Sequence, residues 1–128
     1  MAMGKVIDPG WQWDDKIPLA QAVKVGEVLY ISGQIALDPS GALVGAGDMK
    51  AQSQRVFENI AAILRMAGGT LENVVKITAY LTDMSRCGEY NEVRGKFLKD
   101  HRPASTTVQV VALAFPGLLI EVEAIAHL

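Results

Sequence analysis

The run AQSQRVFENIAAILRMAGGTLENVVKITAYLTDM, residues 51–84, switches from one structural period to another and so decides the fold. Val56, Ile60, Ile63, Leu64 and Ala67 recur at i, i+4, i+7, i+8 and i+11, one apolar stripe along a helix from about Met49 to Met66. Asp48 stands where an N-cap acceptor belongs, and Gly68-Gly69 stops the helix. After a short turn at Thr70 to Asn73 the period drops to two. Val75, Ile77, Ala79 and Leu81 then share a face opposite Lys76, Thr78 and Tyr80, which predicts a strand over Val74–Leu81.

Working outward, Ala22–Val25 and residues 28–36 read as a hairpin around Gly26-Glu27, with a further strand near residues 4–7. DPSGALVG, from Asp38, is turn chemistry. A second helix is expected over residues 86–99, although Gly88, Gly95 and several charges interrupt its apolar spacing. Strands over 105–113 and 118–126 close the chain around Pro116-Gly117. The order β-β-α-β-α-β-β implies an α+β class, a mixed sheet with two helices packed on one face. The other face is left uncovered, which predicts a homo-oligomer that buries it.

The 128 residues are read as a single domain, 1–128, with residues 1–17 as an N-terminal arm. Trp11 and Trp13 in that arm are expected to pack on a neighbouring subunit. Net charge is −2, so no basic surplus supports nucleic-acid binding. Cys87 is the only cysteine, the N-terminus lacks an apolar signal region, and no apolar run is long enough for a bilayer. These features predict a cytoplasmic protein with no membrane partner. His101 and His127 have no Cys or acidic neighbours at metal-ligand spacing, so no metal site is expected. Gly45-Ala46-Gly47 lacks the spacing and the lysine of a phosphate loop.

Three stretches have polar residues where chemistry could occur. In LLIEVEAIA, Glu121 and Glu123 point the same way beside Leu119 and Ile125, and mutual repulsion with partial burial would raise the pKa of at least one. Solvated or ion-paired glutamates are the alternative. In SGQIALD, Gly33 lets a ligand or another backbone approach a strand closely, or else marks a bulge. In RPASTTVQV, residues 102–110, Ser105, Thr107 and Gln109 form a polar stripe. If the last two strands paired as a hairpin, that stripe could share a face with the glutamates.

Taken together, QAVKVGEVLYISGQIALDPSGALVG, the opening run, YNEV and the IEVEAIA ending resemble the YjgF/Rid family, the reactive intermediate deaminases also filed as endoribonuclease L-PSP or translation initiation inhibitor. The resemblance implies a chorismate-mutase-like trimeric barrel with clefts between subunits that hydrolyse enamines and imines to 2-keto acids and ammonia, without a cofactor. In the family a Pro-Ala-Arg-Ser motif grips the substrate carboxylate in a bidentate pair. Here the motif is Pro103-Ala104-Ser105-Thr106, so Ser105 stands in place of that arginine, and Leu19 stands where a cleft tyrosine is usual. Glu121 matches the glutamate that positions water, Asn91 a cleft asparagine, and Gly33 a cleft glycine. Arg102 lies three residues before Ser105, an odd offset that in a regular strand would face it away.

Three functions follow. The first is a Rid-type hydrolase with Glu121 as catalytic residue, acting on an imine, an enamine or a related small molecule other than a simple 2-imino acid. Loss of a charge-assisted pair weakens binding too far for an unchanged substrate. The second is a trimer that binds a small molecule at its subunit interfaces without turning it over. The third is an endoribonuclease, opposed by the acidic balance and the absence of a histidine pair.

Overall fold

The computed structural model describes residues 4–128. Its strands are β1 (Lys5–Ile7), β2 (Ala22–Val25), β3 (Val28–Ile35), β4 (Val74–Leu81), β5 (Ala104–Gln109) and β6 (Ile120–His127). They form one six-stranded sheet in the order β1-β2-β3-β6-β4-β5. The helices are α1 (Met49–Met66) and α2 (Cys87–Leu98). All neighbouring strands are antiparallel except β4 and β5, which are parallel because α2 carries the chain back between them.

Helix α1 forms where its stripe predicts. The Asp48 carboxylate accepts the Ala51 N–H at 3.0 Å, satisfying one of the orphan donors of the first turn. Its face buries Val56, Phe57, Ile60, Ile63 and Leu64 in one core with Leu29 and Ile31 of β3, Ile77, Ala79 and Leu81 of β4 and Ile120, Val122, Ala124 and Ala126 of β6. Helix α2 has only a weak apolar stripe, yet Tyr90, Val93 and Leu98 join the same core. Phe57 stacks on Tyr90 and Phe97 at centroid distances of 6.2 and 5.4 Å, so aromatic area replaces periodicity in holding α2 down.

Two buried amides on α1 anchor the loops above the sheet. Gln52 donates to the carbonyls of Gly45 and Gly117 and accepts the Leu119 N–H at 2.8 Å. Asn59 donates to the carbonyls of Ile35 and Leu37, both at 3.1 Å.

Several expectations are corrected. β5 ends at Gln109 rather than 113, where the Val110 N–H donates to Leu81 before the chain leaves the sheet. The last two strands are not a hairpin, because β4 lies between β5 and β6. A register shift between Val74 and Lys76 buries Val74 and leaves Val75 49% exposed, so Val75 does not share the Ile77 face. Trp11 is buried in the core of its own chain and stacks on Trp13 at 6.0 Å, so the Trp11 indole is not presented to a neighbour.

The sheet face away from the helices is open. Tyr30 and Val108 are exposed there, and beyond the edge strand β5 so are Val111 and Phe115. No helix among the described residues is long and apolar enough to cross a membrane.

Candidate functional site

The residues singled out in the sequence fall into two groups on opposite faces of the sheet. The first is built on the β3–β6 pair. Ile31 pairs with Ala124 but Gln34 with Val122, so one extra residue bulges β3 at Ser32-Gly33. Glu121 lies directly over that bulge. An ideal Cβ at position 33 would sit 2.7 Å from Cδ and 2.9 Å from Cγ of Glu121, and it would overlap Oε2. The glycine therefore makes room for a carboxylate of the same chain.

Burial pushes the Glu121 carboxyl above the usual range, and the neighbouring charge of Glu123 adds to the shift. Glu123 itself accepts a hydrogen bond from the Tyr80 hydroxyl at 2.9 Å, which raises the tyrosine pKa. Two carboxylates two residues apart thus have different surroundings: one is half-buried without a recorded partner, the other exposed and bonded. Ser32 ties a further segment to this group, its N–H donating to Gln21 and its hydroxyl to Ala20 at 2.6 Å. Leu19, the residue before Ala20, is exposed.

The second group sits at the β5 edge on the helix side. Ser105 is level with Ile77, whose side chain enters the core, and Thr107 is level with Ala79. The Ser105 hydroxyl accepts a hydrogen bond from Arg94 Nη1 at 2.7 Å, and Arg94 Nη2 donates to Asn91 Oδ1 at 2.7 Å. The guanidinium lies 4.9 Å above the Tyr90 ring. Arg102 turns back on its own loop and donates to the carbonyls of Lys99 and His101. A cavity of about 240 Å³ is lined by Asn91, Arg94, Lys99, Arg102 and Ser105 among others. Ser105 and Arg102 therefore line one space, contrary to the strand-period expectation, because β5 starts only at Ala104.

Glu121 is level with Tyr80 across β4, whereas Ser105 is level with Ile77. Two strand spacings and three residues separate them, roughly 14 Å between backbones, and they point to opposite faces. The proposed sharing of a face by Ser105, Thr107 and the glutamates within one chain does not occur. Arg94 was not singled out from the sequence. The available signal was its i, i+3 relation to Asn91 on a helix, which puts both side chains on one face. Among the described residues, no group of three or more His, Cys, Asp or Glu could hold a metal ion.

A mixed six-stranded sheet with two helices, in this strand order, is the YjgF-type α+β fold, which solved structures share over nearly the whole chain. RidA from an Antarctic Psychrobacter species is 39% identical, with a TM-score of 0.84 and 100% of each chain covered. Escherichia coli TdcF with bound serine is 30% identical, with a TM-score of 0.87 and 97% of this chain and 98% of that one covered. The chain belongs to the Endoribonuclease L-PSP family, also called the YjgF/Rid or RutC family, whose profile matches residues 14–128. A RutC family protein of Pyrococcus abyssi is 44% identical over 110 residues, 86% of each chain. A 2-iminobutanoate/2-iminopropanoate deaminase of Mus musculus is 39% identical over 85% of this chain and 80% of its own.

Proposed function

We propose that the chain is a cofactor-independent Rid-type hydrolase of an imine, an enamine or a related small molecule. It works as a cytoplasmic homotrimer, one domain per chain, with the small molecule bound where subunits meet. The observation that carries this reading is Glu121, a half-buried carboxyl of raised pKa held over a glycine bulge. Water adds to the carbon of the protonated imine as the Glu121 carboxylate takes one of its protons, giving a neutral carbinolamine. Glu121 then passes that proton to nitrogen, and as the C–N bond breaks and ammonia leaves, the carbinolamine hydroxyl gives its own proton back to the carboxylate, which leaves the carbonyl product.

The trimer is supported by the separation of the two groups. Gly33 and Glu121 lie on one side and Asn91, Ser105 and Thr107 on the other, so a cleft using all of them needs two chains. The open sheet face and the exposed Val108, Val111 and Phe115 are the surface such contacts would bury. With serine at 105 the strand lacks the family's arginine, so the substrate is not a simple 2-imino acid held as in arginine-bearing relatives.

The test generates imines in situ with an amino-acid dehydratase or oxidase and follows their decay with and without the protein. The wild type should accelerate decay, and Glu121→Gln should lose about 10²-fold or more. Equal decay with both proteins, together with ligand binding by both, would favour the non-catalytic trimer. RNA cleavage that a Glu121 substitution abolishes would favour the endoribonuclease.

A further inference from the structure

The serine at 105 does not leave this corner without a cation. Arg94 reaches it from α2 and donates to the Ser105 hydroxyl at 2.7 Å, so its guanidinium occupies space that a long side chain at 105 would fill. Its recorded partners are neutral: the Ser105 hydroxyl, the Asn91 amide oxygen and the face of Tyr90. The ion pairs among the described residues involve Lys50, Arg55 and Arg86, and none involves Arg94. Two of its five guanidinium N–H donors bond to Ser105 and Asn91, and none bonds to a carboxylate among the described residues.

The lining of the adjoining cavity points the same way. Its residues are Asn91, Arg94, Gly95, Leu98, Lys99, His101, Arg102, Pro103 and Ser105, with three permanent cations and no carboxylate. In a chain of net charge −2 that is a local reversal of sign. A cation that merely tied α2 to β5 would not need this field, since a neutral side chain could make the same bonds.

We infer that Arg94, delivered by the helix, is the anion-binding residue of this site, and that it holds the carboxylate of a small organic acid beside Ser105. Calling that acid a substrate rests on the hydrolase reading; the binding does not. The transfer from strand to helix also constrains recognition. Both terminal nitrogens already donate to protein, so the fork is less free for an end-on bidentate grip than an arginine on the strand. A 2-imino acid such as 2-iminopropanoate is then held less firmly than in arginine-bearing relatives, which agrees with the expectation drawn from Ser105.

The test measures pyruvate, a 2-keto acid, by calorimetry or ligand-observed NMR, with methyl pyruvate as the neutral control. Arg94→Met keeps the apolar stem over Tyr90 and removes the charge. It should weaken pyruvate binding at least tenfold and leave methyl pyruvate within twofold. Arg94→Lys should fall between, and Ser105→Arg added to Arg94→Met should recover pyruvate binding by restoring a guanidinium on the strand. Pyruvate binding unchanged in Arg94→Met, or lost only in Arg102→Met, overturns the inference, as does no pyruvate binding by the wild type at millimolar concentration. Equal loss of both ligands with a lowered melting temperature would show a structural tie and also overturn it. Imine decay is measured in the same variants. Arg94-dependent pyruvate binding without hydrolysis by any of them refutes the hydrolase and leaves the anion site standing.

Discussion

Replacing Gly33 with alanine asks whether the strand glycine exists to seat Glu121. The backbone there is not in the left-handed region, so alanine is forbidden only by space. Its Cβ would lie 2.7 and 2.9 Å from two Glu121 carbons, where ordinary contact is about 3.5–4.0 Å. The carboxylate must therefore move by about 1 Å. Squeezing a methyl into a filled space costs about 1–3 kcal/mol. Stiffening the unfolded chain returns about 0.4–1 kcal/mol, so Gly33→Ala should be destabilised by about 0.5–2 kcal/mol. In a Glu121→Ala background all three near atoms are gone, and the same change should be neutral or stabilising. Denaturant unfolding of the four proteins closes the cycle, at one protein concentration because association would shift the midpoint. An equal loss in both backgrounds would show that Glu121 does not occupy the bulge. If Glu121 handles water, the displacement also lowers turnover about 10²-fold.

Four other expectations follow from particular residues. Gln52→Leu strands the Leu119 N–H and frees the loops at Gly45 and Gly117, a loss of about 1–3 kcal/mol for the N–H alone; a loss below 0.5 kcal/mol in denaturant unfolding would contradict the anchoring role. Asp48→Ala removes the α1 cap and should lower stability by about 1 kcal/mol by the same measurement. The Glu121 carboxyl titrates higher folded than unfolded, so its contribution to stability is complete below the unfolded value of about 4.3 and is lost as pH rises through the folded value. Glu121→Gln should therefore gain in melting temperature relative to wild type between pH 4 and neutrality, and a pH-independent difference would refute it. Glu123→Gln should move the acid limb of any Glu121-dependent activity to lower pH, without abolishing the shift, because burial is its larger cause.

Elements governed by local period were legible in residue order. The α1 stripe, its Asp48 cap and the alternation of β6 each depend on neighbours in the chain, and they appear at or near the expected residues. What failed depended on partners. A bulge at Val74 or at Ser32-Gly33 is a relation between two strands, and neither strand records it alone. The β5 edge was over-extended because Val110, Val111 and Leu113 keep an apolar character that fits a strand. Pairing with β4 ends where β4 ends, so hydrogen bonding rather than propensity stops it.

The candidate site shows the same division more sharply. Gly33 and Glu121 were both visible as unusual residues, but their contact spans 88 positions and turns on a single inserted residue in β3. Ser105 and Arg102 are both visible in RPASTTVQV, and strand period sets them on opposite sides of a regular strand. The nearer cation was on α2, the helix with the poorest apolar pattern, and only its aromatic packing against Phe57 and the βαβ crossover bring it to β5. A strand and the helix above it line the same few ångströms of space, so either can supply the cation there. Position in a motif is thus a weaker guide to charge than position in the fold, and Arg94→Met against Arg102→Met is the pair of variants that separates the two.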